Sequence, residues 1–211
     1  FQRYDAAGAV AGGATQVNTS TLLDQFGAKV VGLSGGGFAI AWLSDDNLDT
    51  VTGVYARLYD ASGAAQGDAF LVNPVFGQAS YDLDMSATAD GGFVVGWASP
   101  DGSAKGVYLQ RFDAAGGRID DARQANVTTS GEQDLSAVLG LAGGGVLALW
   151  RDAAQTGEIR ARVLSDPAPD PLSPAMSELA ENIDLYVGDV QAGPVLLDDG
   201  IAFEDIDGAG F

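Results

Sequence analysis

Three tryptophans, Trp42, Trp97 and Trp150, are the only ones in the chain, and each closes the same short phrase. The phrases read GGGFAIAW (35–42), GGFVVGW (91–97) and GGGVLALW (143–150), so the tryptophans stand 55 and 53 residues apart. A fixed period of that length means one supersecondary unit used repeatedly, and it constrains the architecture more than any local propensity does. Two further landmarks share the spacing: Asp5, Asp60 and Asp113 in FQRYDAAG (1–8), GVYARLYDASG (53–63) and GVYLQRFDAAG (106–116), and Asn18, Asn73 and Asn126 at the end of a short following segment.

Each copy reads as four short strands. In the tryptophan phrase Phe93, Val95 and Trp97 fall on one face and Val94 and Gly96 on the other, so the strand is expected to be buried on both sides. The glycines before it supply the positive φ of a tight hairpin. The next strand ends in Asp-x-x-Gly, with Asp at the first and Gly at the fourth position of a turn. An all-β chain of tandem four-stranded meanders of about 53 residues, β-propeller-like, is therefore predicted. Stacked β-sandwich modules of an adhesin are the alternative, although one repeat is short for a sandwich of roughly 100 residues.

Residues 1–164 read as three well-kept repeats preceded by part of another. Residues 165–211 hold a proline-rich link, SDPAPDPLSP (165–174), and an eroded fourth copy. In that alignment DLYVGDVQAGPVLL (184–197) lies over DLSAVLGLAGGGVL (134–147), and GIAFEDIDGAG (200–210) lies over GVYLQRFDAAG. The chain opens inside a third strand, which fits either a propeller closed by its terminal strands or a segment of a longer array.

The side chains narrow the chemistry. The chain has no His and no Cys, which removes histidine bases, thiolate nucleophiles, disulfides and thiolate zinc sites. A net charge of -19 repels nucleic acid and anionic lipid, and no apolar run approaches the ~20 residues of a membrane-spanning helix. A carboxylate pair of glycosidase type is the enzymatic arrangement left, with Asp82 and Asp84, or Asp45 and Asp49, as candidates that no spacing rule selects. No phosphate-cradling glycine loop is present.

For a metal, Asp45, Asn47 and Asp49 alternate as the first ligands of a calcium loop do, without the Gly and the closing Glu that complete one. Asp198, Asp199, Glu204, Asp205 and Asp207 form a second acidic group, in which self-alignment makes Asp207 a turn residue. The plainer expectation for both groups is solvated loop and turn, with calcium as the only cofactor to consider. The recurring aspartates and asparagines are read as turn residues, because active sites are single and turns repeat. The tryptophans are read as packing between sheets, with Tyr55, Tyr59, Tyr81 and Tyr108 as candidate contact residues.

The phrase GGFVVGW…GVYLQRFDAAG…N closely resembles a repeat of very large secreted bacterial proteins of the RTX, or haemolysin-type calcium-binding, class. The resemblance covers residues 1–164 well. It implies an extracellular bacterial protein with a propeller-like or adhesin-like repeat region, and it implies no reaction. The family's calcium nonapeptide, Gly-Gly-x-Gly-x-Asp, does not occur in the chain, so calcium binding does not carry over to any residue. The leading expectation is a non-catalytic structural or interaction repeat domain of a secreted bacterial surface or adhesin-like protein, meeting a protein or glycan partner. The alternatives are a glycan-binding or carbohydrate-active propeller, and a structural subunit of a larger extracellular assembly. A specific partner site is expected in 165–211, where the chain departs from its repeat.

Overall fold

Hydrogen-bonded hairpins follow one another without a crossover. The computed structural model describes residues 1–21, 23–47, 51–73, 80–153, 157–165 and 185–186, with the backbone alone at 46, 47, 51, 185 and 186. A two-stranded ribbon, β1 (Arg3–Tyr4) and β2 (Val10–Ala11), leads into the first sheet, β3 (Gln25–Gly32), β4 (Phe38–Asn47), β5 (Val51–Tyr59) and β6 (Phe70–Leu71). The second sheet is β7 (Tyr81–Ala87), β8 (Phe93–Pro100), β9 (Lys105–Phe112) and β10 (Arg118–Gln124). The third is β11 (Gln133–Gly140), β12 (Val146–Asp152), β13 (Glu158–Leu164) and β14 (Leu185–Tyr186). All neighbours pair antiparallel in chain order, and the first strands β3, β7 and β11 approach one another across the sheets. The fold is all-β and propeller-like, built from tandem four-stranded meanders, as the period predicts.

The paired glycines have separate causes. Gly36, Gly91 and Gly144 hold φ of 82°, 89° and 93°, which a side chain resists. The next glycine is needed for room. A Cβ on Gly37 would lie 2.4 Å from the Tyr59 carbonyl oxygen, and one on Gly92 would lie 2.1 Å from that of Phe112. The third repeat is looser, since a Cβ on Gly145 would stay 3.4 Å from the Leu164 oxygen. At the other hairpin the Asp side chain closes the turn itself. Asp5 Oδ1 accepts from Ala7 and Ala9 N–H (2.9 and 2.8 Å), Asp60 Oδ1 from Ser62 and Ala64 (2.8 and 2.9 Å), and Asp113 Oδ1 from Ala115 and Gly117 (2.9 and 2.8 Å). The same two bonds in three copies identify these aspartates as structural.

Burial follows a directional rule. The face of the second sheet carrying Phe93, Val95, Trp97 and Phe112 packs on the face of the first made of Ala39, Ala41, Leu43, Val54, Ala56 and Leu58. Val146, Ala148 and Trp150 of the third sheet pack in the same way on Val94, Val107 and Leu109 of the second. The tryptophan face of the first sheet meets the leading segment, where the Phe1 ring sits edge-on to Phe38 and Tyr59 at 5.2 and 4.9 Å. Small residues on the receiving face admit the bulk of the incoming one. The clearest case is Gly96, where a Cβ would come within 2.6 Å of Val138 Cγ1.

Few polar bonds cross between sheets, and those that do are specific. Arg118 donates to the Leu71 and Val72 carbonyls (2.7 and 2.8 Å), and Arg162 donates to Ala125 (2.8 Å). Val138 N–H donates to Asp84 Oδ2 (2.9 Å), while Asp84 Oδ1 faces Lys29 Nζ of the first sheet at 3.6 Å. Asp84 therefore ties the first strands of three sheets together.

Two expectations are corrected. β8 is buried on both faces, whereas β12 alternates, leaving Leu147 and Leu149 half-buried because no described residue covers that side. Leu185 and Tyr186, aligned above with the start of a fourth copy, instead pair with Ala161 and Arg160 as the edge strand of the third sheet. The alignment slipped because the proline-rich insertion displaces that strand from the position β6 and β10 hold in their copies. Of the rest of 165–211 only Ser165 lies within the described residues.

The two tight contacts yield a graded prediction. Gly92→Ala forces a methyl into a backbone oxygen and is expected to cost about 3 kcal/mol in urea unfolding. Gly145→Ala, made at the equivalent position, is expected to cost under about 1 kcal/mol.

Candidate functional site

Antiparallel pairing brings the ends of the second strands, the beginnings of the third and the beginnings of the first to one end of the sheets. Gln25 pairs with Ser44, Tyr81 with Ala98, Gln133 with Asp152, and Pro100 with Lys105. The three tryptophans sit just inside this end.

Between the second and third sheets this end carries a cluster of charged groups. Lys105 Nζ donates to Asp134 Oδ1, and Arg151 Nη1 donates to Asp134 Oδ2 at 3.1 Å. Lys105 also lies over the Tyr81 ring, 5.4 Å from its centroid. Asp82 stands beside them at a β-bulge between Tyr81 and Leu83, with φ of 42°. Burial pushes the Asp82 carboxyl above its usual range; Lys105 pulls it down and Asp134 pushes it further up. Asp134 is held below its usual value, first by the Lys105 hydrogen bond and then by Arg151, against the opposing effect of burial. For Lys105 burial works downward, but the bond and charge of Asp134, with Glu132 and Asp82, outweigh it and raise the pKa. Tyr81 is 44% exposed at the edge of this group.

Among the described residues, those singled out from the sequence do not converge. Asp82 and Asp84 are divided by function: Asp84 is committed to Val138 and Lys29, while Asp82 feels Lys105 and Asp134. Asp45 lies on β4 and accepts from Thr52 Oγ1 at 2.7 Å, Asn47 ends that strand, and Asp49 lies outside the described residues. The expected solvated loop at Asp45 is thus strand, which continues past the tryptophan because β4 and β5 pair as far as Asn47 and Val51. Asp198, Asp199, Glu204, Asp205 and Asp207 also lie outside the described residues. Among the described residues no three Asp, Glu, His or Cys side chains gather as a metal site would require.

Three of the four tyrosines pack on aromatic neighbours. Tyr55 stacks on Trp42 and Tyr108 on Trp97, each with centroids 6.1 Å apart, and Tyr59 is buried against Phe38. Register explains this, because each tyrosine lies directly across from the aromatic residue it covers. Tyr81 is the most exposed of the four, with Tyr55 and Tyr108 half-buried and Tyr59 buried.

Sequence reasoning missed two arrangements that comparing the copies reveals. Asn73 and Asn126 do more than turn the chain: their Oδ1 atoms accept from the buried N–H groups of Val54 and Val107 (2.8 and 2.7 Å), extending the fourth strand's ladder. In the third sheet Arg160 stands opposite Trp150, where the other copies place tyrosine, and Asp152 stands where they have Ser44 and Ser99. Arg160 Nε and Asp152 Oδ2 are 3.0 Å apart, with Asp152 1% exposed. One exchange introduced a buried cation and the other met it with an anion, a pairing already present in the aligned letters.

No protein-family model matches the chain, and no curated protein matches it. Among solved structures, the Hadza microbial sialidase Hz136 is similar over 66% of this chain and 34% of its own, with a TM-score of 0.48 and 10% identity. The chain spans about a third of that protein's length, and at this distance the sialidase's activity does not carry over. No described helix is long and apolar enough to cross a membrane.

Two measurements test the site. Because the Asp134 pKa is depressed in the folded state, its ion pairs contribute stability above about pH 4 that is lost as pH falls through the lower folded value. Asp134→Asn is therefore expected to lower stability at neutral pH and to flatten the acid limb of stability against pH. Breaking the buried pair with Asp152→Ser is expected to cost about 3 kcal/mol. Restoring the pattern of the other copies with Asp152→Ser and Arg160→Tyr together is expected to return stability to within about 1 kcal/mol of the parent.

Proposed function

We propose that the chain is a non-catalytic interaction domain of a secreted bacterial surface protein, and that it meets its partner at the tryptophan end, between the second and third sheets. One observation carries the reading. The recurring turn aspartates and the ladder asparagines are spent on turns and strand edges, while Tyr81, Asp82, Lys105, Asp134 and Arg151 form a charged group unmatched in the other copies, with an exposed ring at its rim. Asp134 is held by both Lys105 and Arg151, and a carboxylate committed to two cations supports recognition over hydrolysis. The resemblance of the repeat to those of RTX-class proteins supports the extracellular setting.

A glycan partner is the second reading, and Tyr81 is what favours it. An exposed aromatic ring flanked by a carboxylate and an ammonium offers a sugar both a flat apolar face and hydrogen bonds.

The test is retention of bacterial surface polysaccharides and cationic proteins on immobilised chain. The parent is expected to retain a ligand, and Tyr81→Ala with Asp82→Asn is expected to lose at least tenfold in affinity while keeping the parent melting temperature. Turnover of a polysaccharide that survives purification and disappears in the variant would overturn the non-catalytic reading.

A further inference from the structure

The leading ribbon is half of a repeat. Arg3 pairs with Ala11 and Tyr4 with Val10, the register in which Arg111 pairs with Ile119 and Phe112 with Arg118. The likeness extends to single bonds. Gln2 Nε2 donates to the Arg3 and Gly12 carbonyls (3.0 and 3.1 Å), as Gln110 Nε2 donates to those of Arg111 and Asp120 (3.0 and 3.0 Å). Gly12 and Asp120 share the left-handed backbone, with φ of 82° and 59°. The ribbon therefore holds the third and fourth strands of a copy, and among the described residues no first or second strand pairs with them.

Two bare side chains mark where a second strand belongs. In the first and second sheets the aromatic residue before the turn aspartate lies across from the phenylalanine that opens the second strand. Tyr59 stacks on Phe38 and Phe112 on Phe93, each with centroids 5.0 Å apart, and both are buried. Tyr4 holds that place in the ribbon and is 63% exposed. The other mark is on β3. Val30, Met85 and Val138 occupy one position of the first strand, across from Ile40, Val95 and Ala148. Met85 and Val138 are buried in the interfaces with the preceding sheets, Val138 against the Gly96 position of a second strand. Val30 faces the ribbon's side of the first sheet and is 66% exposed.

The backbone is turned the same way. Thr15 N–H donates to the Phe1 carbonyl (2.9 Å) and Asp5 N–H to the Ala9 carbonyl (2.8 Å), across the ribbon. Alternation then directs the amide groups of Gln2 and Tyr4 to the other edge of β1. Packing of Phe1 on Phe38 and Tyr59, and a bond from Arg3 Nη1 to the Ala61 carbonyl (2.6 Å), fix that edge on the first sheet.

We propose that the free edge of β1 is a strand-acceptor site, which takes an extended segment of a separate protein bearing the second-strand pattern Gly-Gly-Phe-x-apolar-x-Trp. The segment adds antiparallel, its phenylalanine across from Tyr4 and the small residue before its tryptophan against Val30. Main-chain bonds supply affinity and the two seats supply selection. Every second strand among the described residues is already paired on both sides, so a second copy of this chain has none to lend. The site is built on the ribbon and the first sheet, apart from the Tyr81 and Lys105 group, and stands independently of it.

The test is titration of the full chain with a synthetic peptide of residues 88–100, TADGGFVVGWASP, followed by amide NMR. Binding is expected, with the Tyr4 amide exchanging fast in the free chain and slowly in the complex. Val30→Asp and Tyr4→Pro are each expected to weaken binding about tenfold or more at the parent melting temperature. Both positions are exposed, and proline removes the N–H at the open edge. A peptide carrying Gly96→Leu is expected to bind about tenfold more weakly although it is more apolar, because its side chain meets Val30. Absence of binding, equal binding of the two peptides, or parent-like binding by Val30→Asp would overturn the proposal. So would a Tyr4 amide already protected in the free chain, which means that the chain covers its own edge, or a dimer abolished by Val30→Asp, which assigns the edge to a second copy.

Discussion

Everything in this chain hangs on how one sheet seats on the next: a tryptophan-bearing face pressed into a face of alanine, glycine and valine. Strand pairing runs within each sheet, so side-chain packing supplies most of what holds neighbours in order. The small residues matter as much as the large ones. Ala39, Ala41, Val94 and Gly96 are the receiving surface, and a larger side chain at any of them would hold two sheets apart. The cross-sheet polar bonds of Arg118, Arg162 and Asp84 then fix the angle at which that contact is made.

Local chemistry was written legibly where it recurs. The hairpin glycines, the turn aspartates and the inward tryptophans all declared their roles, because a residue demanded by a backbone oxygen or by a left-handed φ cannot drift without cost. Burial on both sides of the central strand was readable for β8 and only half true for β12, since it depends on a neighbour and not on the strand itself. Leu185 and Tyr186 were misaligned for a related reason. A proline-rich insertion between β13 and β14 left the local letters intact and shifted which strand they belong to, and only pairing with Ala161 and Arg160 settles that.

The candidate site was less legible. Asp82 was named from the sequence in company with Asp84, yet two residues along a bulged strand lead to different surroundings, one toward Lys105 and one toward Val138. Lys105, Asp134 and Arg151 carried no motif at all. They meet because three separate strand ends share one edge of the stack. Differences between copies were the available signal, and the joint exchange of Tyr for Arg160 and Ser for Asp152 shows how informative such differences become once the copies are in register.

The one-way character of the interfaces has an evolutionary consequence. Because every copy brings both a protruding face and a receiving one, a duplicated or deleted copy leaves two compatible surfaces facing each other. Recombination between copies can therefore lengthen or shorten such an array without the junction having to be reinvented. Selection is then free to act on the tryptophan end of single copies, where a changed pair such as Arg160 and Asp152 alters one station of the array and leaves the rest as it was.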